Sequence, residues 1–335
     1  MQNLLDPAIL FFVVGLIAGT VKSNLEIPPA IARFLCLYLL MALGLKGGFA
    51  LSHSGLTTHV VISLAAAVML AICIPLVGYW FLKRFVSGFD AAAVAATYGS
   101  VSAVTFVTAV QYLENQNIAY GGHMAAAMAL MESPAIIIAV VLANALRQKN
   151  SLPIVNLGSG VCGWSSPLNK QSVTIGKILH ESFTDGAQLL LLGAMAVGLI
   201  TGDAGKAAMQ PFSGDLFKGM LSFFLLDMGL MAARNLPQVP GKSSVLIAYA
   251  ALGPIVHASL ALALACILGL PAGDGALLMV LSASASYIAV PAVLRFALPE
   301  ANPSLYFGLS LGITFPLNIL FGIPIYVSLA QGLLR

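Results

Sequence analysis

Two short runs of small hydroxyl side chains stand where a lipid-facing helix would carry Leu or Val. They are Ser100-Val-Ser-Ala-Val-Thr105 and Ser284-Ala-Ser-Tyr-Ile-Ala289. Ser100 and Ser284 lie 184 residues apart, as do Ser102 and Ser286. Hydroxyls at this spacing offer neutral donors and acceptors, with no nucleophile–base pair beside them. Their chemistry is coordination of a small ion. Short polar interruptions at matching places in two halves of a chain point to a transporter's binding site. Small residues also let two membrane helices pack closely, each hydroxyl bonding the carbonyl one turn back.

Other residues add to this chemistry. Gly99 permits an unusual backbone angle before the first run, and a helix break there frees N–H groups on the half that follows. Pro291 suits the first turn of a restarted helix. Two helix N-termini meeting at mid-membrane make a positive pocket for a small anion. Carboxylates inside a membrane are costly, so Glu132, two residues before Pro134, and Asp227 are cation candidates. Glu132 equally suits a structural pairing. Asp227 can serve a coupling cation or pair with Lys46 or Arg234. Thr314 and Asn318 flank Pro316 and supply neutral oxygens of the kind sodium accepts. His257 reads as a packed, hydrogen-bonded histidine rather than a proton carrier. Arg295 either snorkels to the membrane surface or helps attract an anion. No catalytic triad, phosphate loop or metal motif occurs, so an enzyme is not expected and no cofactor is implied.

The elements that must position these residues are membrane helices. The 335 residues are 59% hydrophobic and 8% charged, against about 25% charged in soluble domains. Mean hydropathy is +0.97. The pattern lacks the period-2 alternation of a membrane barrel, and a net charge of +3 without a basic patch excludes nucleic acid as a partner. Cys36, Cys73 and Cys266 fall in apolar spans and Cys162 in a loop; none has metal-ligand spacing. The expected spans are 7–22, 28–51, 57–83, 89–113, 121–147, 182–202, 211–235, 243–271, 275–298 and 303–333. The first lacks a basic n-region and reads as a retained helix. A polar stretch at 148–180 reads as a linker between a first five-helix repeat (1–147) and a second (181–335).

Spacing relates the two halves. Leu39–Leu45 matches Phe224–Leu230 at an offset of 185, and Glu132-Ser-Pro134 matches Thr314-Phe-Pro316 at 182. An odd number of spans per half makes the repeats inverted. The expected fold is therefore an all-α polytopic membrane protein of about ten helices, as two inverted five-helix repeats with broken, crossing helices 4 and 9. With both termini outside, 11 of the 15 Lys and Arg face the cytoplasm, which places the linker inside.

At these residues the chain resembles the sodium-dependent bicarbonate transporter family best known from cyanobacteria. The likeness runs over nearly the whole chain. It rests on Gly99-Ser-Val-Ser102, Glu181-Ser-Phe183, Leu216-Phe-Lys-Gly219, Met228-Gly-Leu230 and Pro254-Ile-Val-His257. The most specific stretch is Pro299-Glu-Ala-Asn-Pro-Ser304, followed by Gly312, Pro316, Ile323-Pro324 and Leu329-Ala-Gln-Gly332. The resemblance implies an inner-membrane homotrimer with bicarbonate bound beside sodium where spans 4 and 9 cross. Its serine positions fall on Ser102, Ser284 and Ser286, and its intramembrane acid on Glu132. Some members are closed from the cytoplasm by a PII-like regulator. Departures accompany the match. Tyr287 stands where the family has an aspartate, Ala289 and Val290 replace Ser-Gly, and Ala103 and Val104 replace Gly-Ser. The linker is also shorter than in the best-known members.

The leading expectation is a sodium-coupled symporter of a small anion, bicarbonate by resemblance. Its substrate contacts fall at Ser100, Ser102, Ala103, Thr105, Ser284, Ser286, Tyr287 and Ala289, and its sodium contacts at Gly99, Glu132, Thr314, Asn318 and Asp227. The bulk of Tyr287 leaves open a small organic carboxylate, coupled to sodium or protons. The missing aspartate leaves open a membrane sensor or scaffold with a decayed site.

Overall fold

The computed structural model describes residues 6–55, 57–150, 186–235, 244–287, 290–291, 293–294 and 298–334. The expected linker, from residue 151 on, lies outside the described residues, as do Cys162, Ala289 and Arg295.

Every regular element among the described residues is helical. They run α1 (Pro7–Thr20), α2 (Pro29–Ser54), α3 (Thr58–Leu82), α4 (Gly88–Gly99), α5 (Ala103–Asn115) and α6 (Met124–Asn150). Then follow α7 (Gly186–Met209), a π turn at Gln210–Asp215, α8 (Phe217–Asn235), α9 (Ser244–Leu268) and α10 (Ala272–Ala283). The last, α11, is one long helix over Pro303–Leu333. Seven described stretches are long and apolar enough to cross a membrane, among them the broken pair α4–α5 and the 46-residue run Leu189–Arg234. The helices α1 and α10 are apolar but shorter. Large apolar side chains face outward: Ile200 is 83% exposed and Ile267 81%. Lipid is the solvent that such a surface suits.

The helices sort into two bundles. In one, α1 packs along α8 and α2 along α7. Without a hydrophobic drive between helices in lipid, close approach through small residues supplies the attraction. A Cβ at Gly15 would sit on the Leu226 carbonyl, and one at Gly229 on the Phe12 carbonyl. Gly48 and Gly198 meet in the same way across α2 and α7. The Tyr38 hydroxyl ties α2 to the carbonyl of Phe212 in the π turn. Gly202, at φ 53° and ψ −137°, turns the chain within α7, a conformation that a Cβ would strain.

The second bundle joins α3 to α4 and α6, and α9 to α10 and α11. The run Ala91-Ala-Ala-Val-Ala-Ala96 favours helix, and its residues are at most 1% exposed. Such small side chains let α4 sit in the bundle's centre. Pro316 and Pro324 interrupt the hydrogen bonding of α11, and π turns at Ser310–Thr314 and Asn318–Gly322 absorb the mismatch.

Gly229→Leu is expected to block the α1–α8 approach and destabilise the fold by about 1–3 kcal/mol or more. Gly193→Ala, at a site where a Cβ meets open space, is expected to be neutral or mildly stabilising. Thermal unfolding in detergent compares the two, and equal midpoints would contradict this account of the bundle.

Candidate functional site

The two hydroxyl runs are helix breaks, and they touch. The first helix, α4, ends at Gly99, and Ser100 is extended, with φ −98° and ψ −179°. The next, α5, starts at Ala103 with Ser102 as its cap: the Thr105 amide and hydroxyl both donate to Ser102 Oγ, at 3.2 and 2.9 Å. On the other side α10 ends at Ala283, and Ser284 is extended. Val290, Pro291, Val293 and Leu294 are helical again. The Val290 N–H donates to Ser286 Oγ at 3.3 Å, so Ser286 caps this restart as Ser102 caps α5. The breaks are stitched reciprocally. The Ser102 N–H donates to Ser284 Oγ at 3.0 Å, and the Ser286 N–H to the Thr97 carbonyl at 2.9 Å. Asn318 Nδ2 donates to the Ala283 carbonyl that the break leaves free, at 2.8 Å. Ser100, Ser102, Ser284 and Ser286 are all at most 4% exposed.

What remains uncommitted decides the chemistry. Ser102 Oγ accepts twice from Thr105, which leaves its own proton to give. Ser100 Oγ is buried without a partner. The first-turn amides of α5, at Ala103 and Val104, have no carbonyl one turn back to bond. No Lys or Arg is among the buried described residues. Neutral donors at two helix starts fit a small, singly charged anion better than a fixed counter-charge would. Beside them the Tyr287 ring stacks edge-on against Phe315 at 5.3 Å. Its buried hydroxyl lies beside the Ser102 side chain, within hydrogen-bonding reach, and Cys36 and Asp227 are within electrostatic reach.

The other expected residues take varied places. Gly99 has no left-handed backbone angle. Its missing side chain makes room for the Pro75 ring of α3, which a Cβ would strike. Thr314 Oγ1 donates to the Ala250 carbonyl at 2.7 Å and lies 2.6 Å from the Tyr98 hydroxyl. The Asn318 amide oxygen accepts from Tyr326 at 3.2 Å. Glu132 is half-buried in α6. Asp227 is buried on α8, in the other bundle, within electrostatic reach of Tyr287 and of Arg234, one of its two suggested partners. Its suggested partner Lys46 instead bonds both carboxylate oxygens of Glu114, at 3.0 and 2.9 Å. His257 is buried, held by the Ser282 backbone, with Nδ1 unpartnered.

Two aspartates escaped the sequence reading. Asp90 and Asp274 sit in the first turns of α4 and α10. Asp90 Oδ1 accepts the Asn302 N–H at 2.8 Å, and Asp274 Oδ1 the Gly121 N–H at 2.5 Å. They too are 184 residues apart, a signal that was present but hidden by looking for polar residues only in mid-span.

Two cavities approach the crossing from one side. One, of about 590 Å³, is lined by Lys46, Glu114, Tyr120, Lys206 and Lys218 among others. The second, about 270 Å³, follows α5 down to Thr108. Thr108 is six residues from Ser102, about 9 Å at 1.5 Å per residue.

A family model described as the Na+-dependent bicarbonate transporter superfamily matches residues 7–331. The chain belongs to that superfamily. It is therefore a transporter and not an enzyme, and its helices make it a multi-pass membrane protein. A comparison with curated proteins finds no match. The broken helices of this transporter thus have a purpose: irregular backbone survives at membrane depth where it is buried in protein or lines a cavity.

Ser284→Ala leaves the Ser102 N–H without its acceptor. The transporter is expected to lose about 1–3 kcal/mol of stability, read as a lower unfolding midpoint. Ser259→Ala, whose hydroxyl only bonds back within α9, is expected to leave the midpoint unchanged.

Proposed function

We propose that the transporter moves bicarbonate in symport with sodium, at the crossing of the α4–α5 and α10 breaks. The observation that carries this reading is the pairing of two capped helix starts with spare hydroxyl protons and, among the described residues, no buried Lys or Arg. Substrate contacts fall to Ser100, Ser102, Ala103, Thr105, Ser284 and Ser286, with Tyr287 beside them; Ala289, outside the described residues, belongs to the same set. Sodium takes oxygen ligands. Glu132 and Asp227 offer carboxylates, and Gly99 a backbone carbonyl. Thr314 and Asn318 offer oxygens that each retain a lone pair beyond their present bonds.

The reading includes ten spans as two inverted repeats. Leu189–Arg234 counts as two spans parted by Gly202 and the π turn, and α1 and α10 complete the ten. Reciprocal contacts support the repeat. Asp90 meets Asn302 as Asp274 meets Gly121, Ser102 caps as Ser286 caps, and α1 pairs with α8 as α7 pairs with α2. Alternating access then moves the second bundle against the first. Lys46 on α2 and Glu114 on α5 join the two, so that bridge breaks in each cycle. A homotrimer built on the first bundle, an inner-membrane setting with both termini outside, and a PII-like regulator at the cytoplasmic linker belong to the same proposal.

Labelled bicarbonate uptake into proteoliposomes tests it. Uptake is expected to need an inward sodium gradient and to fall at least tenfold in Ser102→Ala. Gradient-independent uptake, or none by folded wild type, would overturn the symport. A small organic carboxylate is the second reading, favoured by the Tyr287 ring and hydroxyl beside the crossing. Competition of acetate or pyruvate with bicarbonate separates the two.

The moving bundles have their own test. With Lys46→Cys and Glu114→Cys joined by a short thiol cross-linker, uptake is expected to stop. It should return when the linker is cleaved, and unchanged uptake across the bridge would rule out the motion.

A further inference from the structure

A groove runs between α3 and α9 on the outer side of the second bundle. Its volume is about 530 Å³, within the range of about 300–1,000 Å³ that holds small ligands. Residues from Leu70 to Phe85 form one wall and residues from Val245 to Leu260 the other. Fifteen helical residues extend about 22 Å, most of the roughly 30 Å hydrocarbon core of a bilayer. The groove opens sideways along this length: Val77, Trp80, Leu252 and Val256 are each more than half exposed. Its walls are almost wholly apolar, and Tyr249 and His257 lie at the floor.

One end of the groove is charged. The Arg84 guanidinium lies 3.8 Å above the ring of Trp80, itself a groove wall. At the same helix end the Lys83 ammonium lies 5.6 Å above Tyr79, which is not itself a groove wall. Tyr and Trp at a helix end mark the headgroup level of a bilayer. Neither cation has a carboxylate within ion-pair distance among the described residues. The nearby acid, Asp90, is taken by the Ser87 hydroxyl and the Asn302 N–H. An apolar trough about 22 Å long, ending beside two cations that meet no carboxylate among the described residues, has the shape and charge of one kind of molecule.

We propose that this groove binds an anionic phospholipid of the surrounding bilayer, with an acyl chain along α3 and α9 and the phosphate on Lys83 and Arg84. An apolar helix from another protein would fill the trough and leave both cations unmatched. The position ties the lipid to transport. Pro75, buried beside Ile74 of the α3 wall, packs against Gly99, and His257 on the floor holds the Ser282 backbone. Both contacts lie at the ends of the helices that stop at the crossing.

The test uses full-length protein in nanodiscs, with phosphatidylglycerol and phosphatidylcholine as probes and native mass spectrometry as readout. Wild type is expected to retain phosphatidylglycerol at least tenfold over phosphatidylcholine. Lys83→Ala with Arg84→Ala is expected to lose that preference while keeping its unfolding midpoint. Val256→Trp, which fills the trough and spares the cations, is expected to lose retained lipid of both kinds. Glycerophosphoglycerol, the headgroup without chains, is expected not to displace the lipid; displacement would reduce the site to a phosphate patch. Equal retention by wild type and both variants would overturn the proposal. So would a change of oligomeric state in Val256→Trp, which would make the groove a contact between copies of the chain.

Discussion

A helix interrupted inside a bilayer must find partners for the backbone groups that the interruption releases, because lipid offers none. Each break here is completed by the other. The Ser102 amide needs the Ser284 hydroxyl, the Ser286 amide needs the Thr97 carbonyl, and Ala283 needs Asn318. Everything else in the second bundle keeps those groups in register. The alanine face of α4, the Pro75–Gly99 contact and the π turns of α11 all bring helix ends within hydrogen-bond reach.

The same constraint bears on the charge at the crossing, where no described buried residue is Lys or Arg. A lysine or arginine at the crossing would have to be desolvated each time the site empties, at a cost of several kcal/mol. Hydroxyls and first-turn amides avoid this cost, since they carry no net charge. Ser102 holds Thr105 through its lone pairs while its proton stays available. Charged side chains instead line a polar cavity beyond the far end of α5, where Lys46, Lys206 and Lys218 stand among Glu114 and Asp215.

Much of this was legible in the sequence because it depends on residue type and spacing alone. The two Ser-x-Ser runs fell at the breaks, since serine competes for backbone bonds and caps the helix that follows. What escaped was whatever depends on a partner far along the chain. Gly99 was read for its backbone freedom, but its role comes from Pro75, on another helix. Lys46 was offered to Asp227, yet Glu114, on a helix that sequence distance does not bring near, holds it. Asp90 and Asp274 look like ordinary first-turn acids until the amides they clamp are seen.

Those two clamps also bear on how the chain is made. The Gly121 amide, in the first half, is held by a carboxylate 153 residues further on. The Ser102 amide likewise waits for a hydroxyl 182 residues away. When the first five helices leave the ribosome, their own breaks are still open. They must stay shielded by water, lipid headgroups or the insertion machinery until residues past 274 arrive. The first half thus cannot satisfy these two amides from its own residues, and it gains their partners only when residues 274–284 have been made.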